Sequence, residues 1–258
     1  MLKIRDLSIS FRRYNGLLRQ QLIPRLSNIR LDVAPGEVVA LIGPSGAGKS
    51  LIAHAIMGLL PKNCVMKGEI YHNGVVLDRH IIEEKRGREI SLLPQQISCL
   101  DPTARVGKQI SWAAERAGTK VNADEQLINV GLPPQVGSLY PHQLSGGMAK
   151  RILVAQANTA GAPLLIADEP TTGLDPSTRD LVLDRIRKHA DQGGAVLLIT
   201  HDLMPALTRA DRIALIRDGQ MSCTLPTSAF NGSGDGLTSD YARSLWRALP
   251  QNGFEVYA

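Results

Sequence analysis

A glycine-rich segment at residues 43–50, Gly-Pro-Ser-Gly-Ala-Gly-Lys-Ser, places the strongest constraint on how this chain folds. It follows an apolar run at 37–42 and precedes a stretch at 51–60 with helical character. A strand, a glycine-rich loop and a helix in this order form a P-loop, in which main-chain N–H groups surround phosphate oxygens. Lys49 supplies a compact cation for the β and γ phosphates, and Ser50 offers a hydroxyl to Mg²⁺. The segment therefore predicts a site for a nucleoside triphosphate.

Apolar runs further along the chain indicate that this site belongs to an α/β fold. Runs at 163–167 and 195–200 alternate with helical stretches at 147–160 and 177–190. Continuous apolar strands separated by helices are typical of a parallel sheet covered on both faces. A chain of 258 residues is long enough for one such domain with a smaller inserted subdomain.

Three regions differ in character from this core. Residues 2–11 and 29–33 alternate apolar and polar side chains, which predicts antiparallel strands, and the polar stretch 12–25 between them is predicted to be a surface loop. Residues 95–145 contain short amphipathic pieces without a clear β pattern, which predicts a helical insertion. Residues 231–236, Asn-Gly-Ser-Gly-Asp-Gly, are predicted to be a flexible linker.

Composition argues against several classes of protein. A hydrophobic fraction of 43% and a charged fraction of 21% are typical of a folded soluble protein. The chain has no apolar run long enough to span a bilayer and no signal peptide at its start, so we expect it to remain in the cytoplasm. Aromatic residues make up only 4% and are not interleaved with Arg or Lys, so we expect no nucleic acid partner despite a net charge of +5.

Two adjacent acids, Asp168 and Glu169, end an apolar run that begins at Leu164. Such a pair is often only a solvated turn, but a P-loop upstream favours a catalytic interpretation. In that interpretation Asp168 holds Mg²⁺, directly or through water, and Glu169 polarises the water that attacks the γ phosphate. His201 follows the strand at 195–200 and lies at the same carboxyl edge, where parallel sheets place ligands.

Four segments in a fixed order identify the family that this chain resembles. After the P-loop come Leu144-Ser-Gly-Gly-Met148, the acidic strand and Thr200-His-Asp202. This order resembles the ATP-binding subunit of an ABC transporter, whose signature is written LSGGQ. The resemblance implies an α/β fold, a P-loop NTPase (ABC ATPase) core with an antiparallel β subdomain and an inserted helical signature subdomain. The implied boundaries are 1–94 and 146–230 for the nucleotide-binding core, 95–145 for the helical subdomain and 231–258 for a short C-terminal tail.

The resemblance implies a role for each residue around ATP and Mg²⁺. Glu169 and His201 act on the attacking water, and Gln95, with Gln96 as the alternative, is the Q-loop ligand to Mg²⁺. Met148 replaces the signature glutamine, so no contact from that side chain is carried over. The implied nucleotide contacts are Phe11, Gly43, Pro44, Ser45, Gly46, Ala47, Gly48, Lys49, Ser50, Leu51, Ser145, Gly146, Gly147 and Asp175, and the implied metal ligands are Ser50, Gln95 and Asp168.

Some of these contacts would cross between two subunits. In the family, the signature residues Ser145, Gly146 and Gly147 bind the γ phosphate held by the opposite subunit, so hydrolysis needs a dimer. Gly173-Leu-Asp175 resembles the D-loop that crosses the same interface. Phe11 ends the first strand in the register of the family's A-loop, which makes it the candidate to stack on adenine, and Tyr14 is the alternative.

The implied assembly is a multi-subunit importer at the cytoplasmic face of the cell membrane, where this chain would be peripheral. Its partners would be a second ABC ATPase subunit, either a different chain or an identical one, two membrane permeases and an extracytoplasmic substrate-binding protein. Residues 98–102, Ser-Cys-Leu-Asp-Pro, resemble a run found in peptide and nickel importers, and the segment 240–250 is similar to their tail. The short C-terminal region favours nickel or a nickel chelate as the cargo, with a dipeptide or oligopeptide as the alternative.

Two other classes fit the sequence less well. A soluble ABC ATPase that acts on DNA or ribosomes usually carries a long coiled coil or two ATPase domains, whereas every motif occurs once in this chain. A kinase or another P-loop switch would not require the signature segment.

Overall fold

The computed structural model describes residues 1–15, 19–159 and 161–252. The strands are β1 (Leu2–Asn15), β2 (Arg19–Val33), β3 (Val38–Ile42), β4 (Cys64–His72), β5 (Val75–Val76), β6 (Ile90–Leu93), β7 (Leu164–Asp168), β8 (Ala195–Thr200), β9 (Arg212–Arg217) and β10 (Gln220–Pro226). The helices are α1 (Lys49–Ile56), α2 (Arg79–Lys85), α3 (Val106–Ala117), α4 (Ala123–Asn129), α5 (Gly146–Thr159), α6 (Pro176–Asp191), α7 (Leu203–Leu207) and α8 (Asp240–Arg247). Short 3₁₀ turns lie at Ile97–Cys99, Pro134–Ser138, Pro141–Gln143, Thr227–Ala229 and Pro250–Asn252.

The core is a six-stranded sheet in the order β10-β9-β3-β8-β7-β6. The strands from β9 to β6 run parallel, and only β10 at one edge is antiparallel. Every residue of β3, β7 and β8 is buried, which explains why these strands are continuous apolar runs. The prediction of an α/β fold with a parallel core sheet is confirmed.

The N-terminal sheet has four antiparallel strands in the order β2-β1-β4-β5. The prediction of a surface loop at 12–25 is wrong for the described residues, because β1 continues to Asn15 and β2 begins at Arg19. Phe11 pairs with Ile23, and the ladder continues outward from there. Beyond Phe11 the strand β4 no longer pairs with β1, and residues 12–14 and 20–22 are all exposed. Both faces of this ribbon therefore meet solvent, and the alternation of apolar and polar residues fades.

The segment between β6 and α5 is helical, as the sequence predicts. Gly118 ends α3 in the left-handed conformation, with a φ of 74°, which is a common helix stop. Ile110 of α3, Leu127 of α4 and Leu153 of α5 belong to one buried cluster. The inserted helices therefore pack directly on the helix that follows the signature segment. The domain boundaries given above remain predictions.

The C-terminal segment is attached to the core rather than loosely linked. The Trp246 indole Nε1 donates a hydrogen bond of 3.0 Å to the Gly232 carbonyl, and its ring contacts Phe230 edge-on at 6.0 Å. Leu237 and Ala242 are fully buried in the main hydrophobic cluster. The prediction of a flexible linker at 231–236 is therefore wrong, because its glycine turn lies against a buried aromatic pair.

Candidate functional site

The P-loop lies between the buried strand β3 and the helix α1, and two of its glycines are required by space and backbone conformation. A Cβ on Gly43 would lie 2.2 Å from the Ile216 carbonyl oxygen. Gly48 has a φ of 94°, and a Cβ there would lie 2.5 Å from Leu26 Cδ2. Side chains at these positions would displace the loop, so glycine keeps its main chain close to the sheet.

Lys49 is the buried cation of this loop, with only 7% of its surface exposed. Its Nζ donates to the carbonyl oxygens of Gly43 at 2.7 Å and Pro44 at 3.2 Å, and lies 3.8 Å from Glu169 Oε1. Burial is the main cause that lowers the pKa of Lys49, and the carboxylates of Glu169 and Asp168 partly oppose this change. The ammonium group is therefore held at the mouth of the loop, where a phosphate would complete its contacts.

Ser50 and Asp168 meet directly below the loop. The Ser50 hydroxyl donates a hydrogen bond of 3.1 Å to Asp168 Oδ1. Burial raises the pKa of Asp168, and the hydrogen bond from Ser50 and the nearby His54 only partly counteract this. Among the described residues, no Lys or Arg lies within ion-pair distance of this carboxylate. A desolvated carboxylate beside a hydroxyl is the kind of hard oxygen donor set that Mg²⁺ prefers, so the residues fit this ion.

Glu169 is buried beside Asp168 and is contacted from three directions. Besides Lys49, its carboxylate accepts a hydrogen bond of 3.0 Å from the Thr172 hydroxyl, and His201 Nδ1 lies 2.8 Å from Oε2. Its φ of 48° is a left-handed conformation that few residues other than glycine adopt. The structure thus brings together Lys49, Glu169 and His201, which are far apart in the sequence.

A groove of about 440 Å³ runs over the P-loop. Its lining includes Phe11 and Gln95, whereas the alternatives Tyr14 and Gln96 are not part of it. Tyr14 is 65% exposed, and its hydroxyl accepts a hydrogen bond of 2.9 Å from Gln20 Nε2. The full lining is Phe11, Arg25, Ser45, Gly46, Gly48, Lys49, Ser50, Leu51, Gln95 and Glu169.

The signature residues lie outside this groove. Ser145 and Gly146 are exposed, and the Ser145 hydroxyl accepts a hydrogen bond of 3.2 Å from the Met148 amide at the start of α5. Gly146 lines a separate hollow of about 540 Å³, together with Gln95, Lys150 and Gly173. A single chain therefore does not place its own signature segment against its own P-loop.

Asp175 begins the helix α6. Its Oδ1 accepts hydrogen bonds from the Thr178 amide at 3.1 Å and the Ser177 hydroxyl at 2.6 Å. These hydrogen bonds hold the pKa of Asp175 well below its usual range. In this chain the carboxylate therefore serves as a helix cap.

Sequence reasoning missed three residues near the site. Arg25 lines the P-loop groove from the strand β2, in a stretch that was predicted to be a loop. Thr172 contacts Glu169, and Lys150 is buried behind it. The position of Thr172 between the acids and the D-loop was an available signal, but no local pattern marks Arg25 or Lys150.

The structure places a P-loop beside an acid pair and a histidine at one edge of a parallel sheet. A helical insertion in the same domain leads to a Leu-Ser-Gly-Gly segment, and this combination defines an ATP-binding cassette. The family model described as "ABC transporter" matches residues 26–172, more than half of the chain. The chain belongs to this family. Solved structures agree: a dimeric ATP-binding cassette, MJ0796 bound to ADP and Pi, superposes with a TM-score of 0.76 at 26% identity, covering 88% of this chain and 99% of that one.

Curated relatives are transport ATP-binding proteins. The oligopeptide transport ATP-binding protein OppD of Bacillus subtilis is 34% identical over 238 residues, which cover 86% of this chain and 64% of the relative. The dipeptide transport ATP-binding protein DppD of Escherichia coli is 35% identical, covering 88% of this chain and 72% of the relative. The metal-staphylopine import system ATP-binding protein CntD of Staphylococcus aureus is 34% identical, covering 77% of this chain and 78% of the relative. The chain thus spans less than two thirds of the OppD length.

Proposed function

We propose that this protein is the ATP-hydrolysing subunit of a multi-subunit ABC importer, peripheral to the cytoplasmic face of the cell membrane. The observation that carries the proposal is the buried carboxylate of Glu169, placed between Lys49 and His201 and beside the Ser50–Asp168 pair. A catalytic base, a phosphate-binding cation and a metal site are then within reach of one γ phosphate. Among the described residues, no helix is long and apolar enough to cross a bilayer.

The P-loop would bind the triphosphate of ATP. Main-chain N–H groups of residues 43–51 would surround the phosphate oxygens, Lys49 would contact the β and γ phosphates, and Phe11 would stack on adenine. When bound by Ser50, Asp168 and Gln95, a Mg²⁺ ion would neutralise charge on the β and γ phosphates. Each of these residues except Asp168 lines the groove or lies in the loop itself.

Glu169 would act as the general base for hydrolysis. Its carboxylate would accept a proton from the attacking water, and His201 would orient that water through the γ phosphate. The hydrogen bonds from Thr172 and His201 fix the rotamer of Glu169, so little reorganisation would be needed at the moment of attack.

A second ATPase subunit, identical or different, would complete each site. Its signature residues, equivalent to Ser145, Gly146 and Gly147, would close over the γ phosphate, with the segment around Asp175 at the interface. The position of Ser145 and Gly146 supports this proposal, because both are exposed and lie outside the groove that holds the P-loop of the same chain.

The helical segment would connect hydrolysis to two membrane permeases, which receive cargo from an extracytoplasmic binding protein. A groove of about 530 Å³ lies where α3 meets the end of β6, and Trp112, Cys99 and Arg116 line it. Trp112 is 41% exposed, which is unusual for so large an apolar ring. We assign the contact with a permease helix to this groove.

For the cargo, the relatives favour a peptide over nickel. Two of the relatives described above are named for oligopeptide and dipeptide transport, which was the alternative in the sequence analysis. The CntD relative is named for a metal chelate, so a metal chelate is the second candidate. Nickel itself, the first choice of the sequence analysis, is not supported by these names.

The proposal is tested by Glu169→Gln, which keeps the size of the side chain and removes its basicity. We expect the variant to bind ATP as the native protein does but to hydrolyse it at least about 100-fold more slowly. Glu125→Gln, at an exposed position of α4, is the matched control and should behave as native. Near-normal turnover by Glu169→Gln would remove Glu169 from the catalytic role. Uptake of a labelled dipeptide, a nickel salt and a nickel chelate by cells that carry each variant then identifies the cargo.

A further inference from the structure

Lys150 is a buried cation that the proposed chemistry does not use. It lies near the start of α5, three residues after the last signature glycine, and only 4% of its surface is exposed. Among the described residues, no carboxylate lies within ion-pair distance of its Nζ. Lysine is rarely buried without a charged partner, so this side chain needs another explanation.

Main-chain carbonyl groups take the place of a charged partner. The Lys150 ammonium donates to the carbonyl oxygen of Gln95 at very short range, and to those of Pro94 and Glu169 at 3.4 Å each. An ammonium group has three donors and no acceptor, so three carbonyl groups can use all of them. The cation is therefore satisfied by the ends of two separate segments.

Those two segments carry the side chains that matter for hydrolysis. Pro94 and Gln95 directly follow β6, whereas Glu169 directly follows β7. Glu169 also has the left-handed φ of 48°, which persists only where the surroundings fix it. Hydrogen bonds hold its main chain on both sides. The Glu169 amide donates to the Ile199 carbonyl at 2.9 Å, and the Glu169 carbonyl accepts from Lys150 Nζ and from the Thr172 amide.

We propose that Lys150 is a positioning residue, which ties the main chains of Gln95 and Glu169 to the helix that carries the signature segment. The proposal rests on the function proposed above. Gln95 and Glu169 both line the P-loop groove, and Lys150 itself lines the hollow beside Gly146. Through these contacts, the residues that face one nucleotide and the segment that faces the other move together. Lys150 touches neither nucleotide, so it acts through the residues it holds.

The test compares Lys150→Met, which keeps the length and removes the donors, with Lys150→Gln, which keeps an amide donor. Lys120→Met, at an exposed position before α4, is the matched control. Hydrogen exchange of main-chain amides is measured on the full chain without turnover. In Lys150→Met, we expect the amides of residues 95–101 and 169–175 to exchange at least about tenfold faster than in the native protein, and those of residues 43–50 to be unchanged. The exchange rates of Lys150→Gln should fall between those of Lys150→Met and the native protein.

Steady-state kinetics give a second, independent readout. A displacement of about 1 Å at reacting groups can cost roughly 100-fold in rate, so we expect kcat of Lys150→Met to fall about 10- to 100-fold while KM for ATP changes by less than about threefold. Lys150→Gln should regain part of the lost rate, and Lys120→Met should match the native protein.

Several outcomes would overturn the proposal. Unchanged exchange at 95–101 and 169–175 would show that Lys150 does not hold these segments, and faster exchange over the whole chain would show a general structural role. If Lys150→Met fails to fold, the comparison is made with Lys150→Gln, and faster exchange over the whole chain rather than at 95–101 and 169–175 would contradict the proposal. A native chain without ATPase activity would contradict the proposed function instead, because the exchange measurement judges Lys150 without turnover.

Discussion

The P-loop and the signature segment are both proposed to bind phosphate, but their surroundings in this chain differ. The cation of the P-loop is enclosed: Lys49 is 7% exposed and shares a groove with Gln95 and Glu169, although Ser45 and Gly46 at the tip of the loop are exposed. We call this groove the enclosed half of the site and the signature segment its open half. The signature segment is open, with Ser145 and Gly146 exposed and outside that groove.

In the proposed dimer, this difference separates the half of each site that one chain forms from the half that a second subunit would supply. One chain can form a groove with a buried, hydrogen-bonded cation, because the parallel sheet brings the ends of β3, β7 and β8 to one edge. The signature segment has no partner of this kind among the described residues. We therefore expect substitutions in the two segments to separate ATP binding from ATP hydrolysis.

The largest effect is expected for Lys49→Met, which removes the cation of the enclosed half. Both ATP affinity and hydrolysis should fall, and hydrolysis by about 100- to 1,000-fold, because the donor directed at the transferred phosphate is lost. Isothermal titration with ATP and a phosphate-release assay measure the two quantities. Lys62→Met, an exposed lysine beyond α1, is the control. If Lys49→Met kept native ATP affinity, the groove over the P-loop would not be the binding site.

A smaller and more selective effect is expected for Ser145→Arg in the open half. The bulky cation should block the approach of a second subunit and lower hydrolysis by about 10- to 100-fold. ATP affinity of the isolated chain should stay within about threefold of native, because Ser145 lies outside the groove. Ser138→Arg, at another exposed serine of the helical segment, should leave both quantities unchanged. A parallel loss of ATP affinity in Ser145→Arg would break the distinction between the two halves.

How much the sequence could predict follows the same division between local and distant contacts. Lys49 and Ser50 were found from the glycine-rich loop that follows β3, and Asp168 and Glu169 from the end of the apolar strand β7. Parallel strands bring those ends together at one edge of the sheet. His201 was placed by the same reasoning, and the structure puts its Nδ1 2.8 Å from Glu169.

The errors occur where tertiary contacts replace a local pattern. The ribbon beyond Phe11 lost its alternation because both of its faces meet solvent, so it was predicted to be a loop. The turn at 231–236 is rich in glycine, but Trp246 binds to it. Lys150 could not be found because a charged residue on a helix is normally assigned to the exposed face, and only the approach of Gln95 and Glu169 explains its burial.

The smallest effect is expected far from both halves, at His72 in β4, and concerns stability alone. The His72 ring is fully buried, neither ring nitrogen has a hydrogen-bond partner among the described residues, and Nδ1 lies 3.4 Å from Glu89 Oε2. Burial is the main cause that lowers the pKa of His72; Lys85 and the N-terminal amine lower it further, and Glu89 opposes them.

The sign of the pH effect follows from this lowered pKa. Below about pH 6.5 the unfolded chain takes up a proton at His72 that the folded chain does not, so the free energy of unfolding should fall as the pH falls. His72→Leu should flatten this slope between pH 7 and 5, whereas His80→Gln at an exposed position should keep it. Urea unfolding at several pH values measures the slope, and ATP affinity at pH 7 should be native in both variants. An unchanged slope in His72→Leu would assign the acid sensitivity to other groups, among them His189, whose pKa burial also lowers. A loss of ATP affinity would instead show that the N-terminal sheet supports the enclosed half of the site directly.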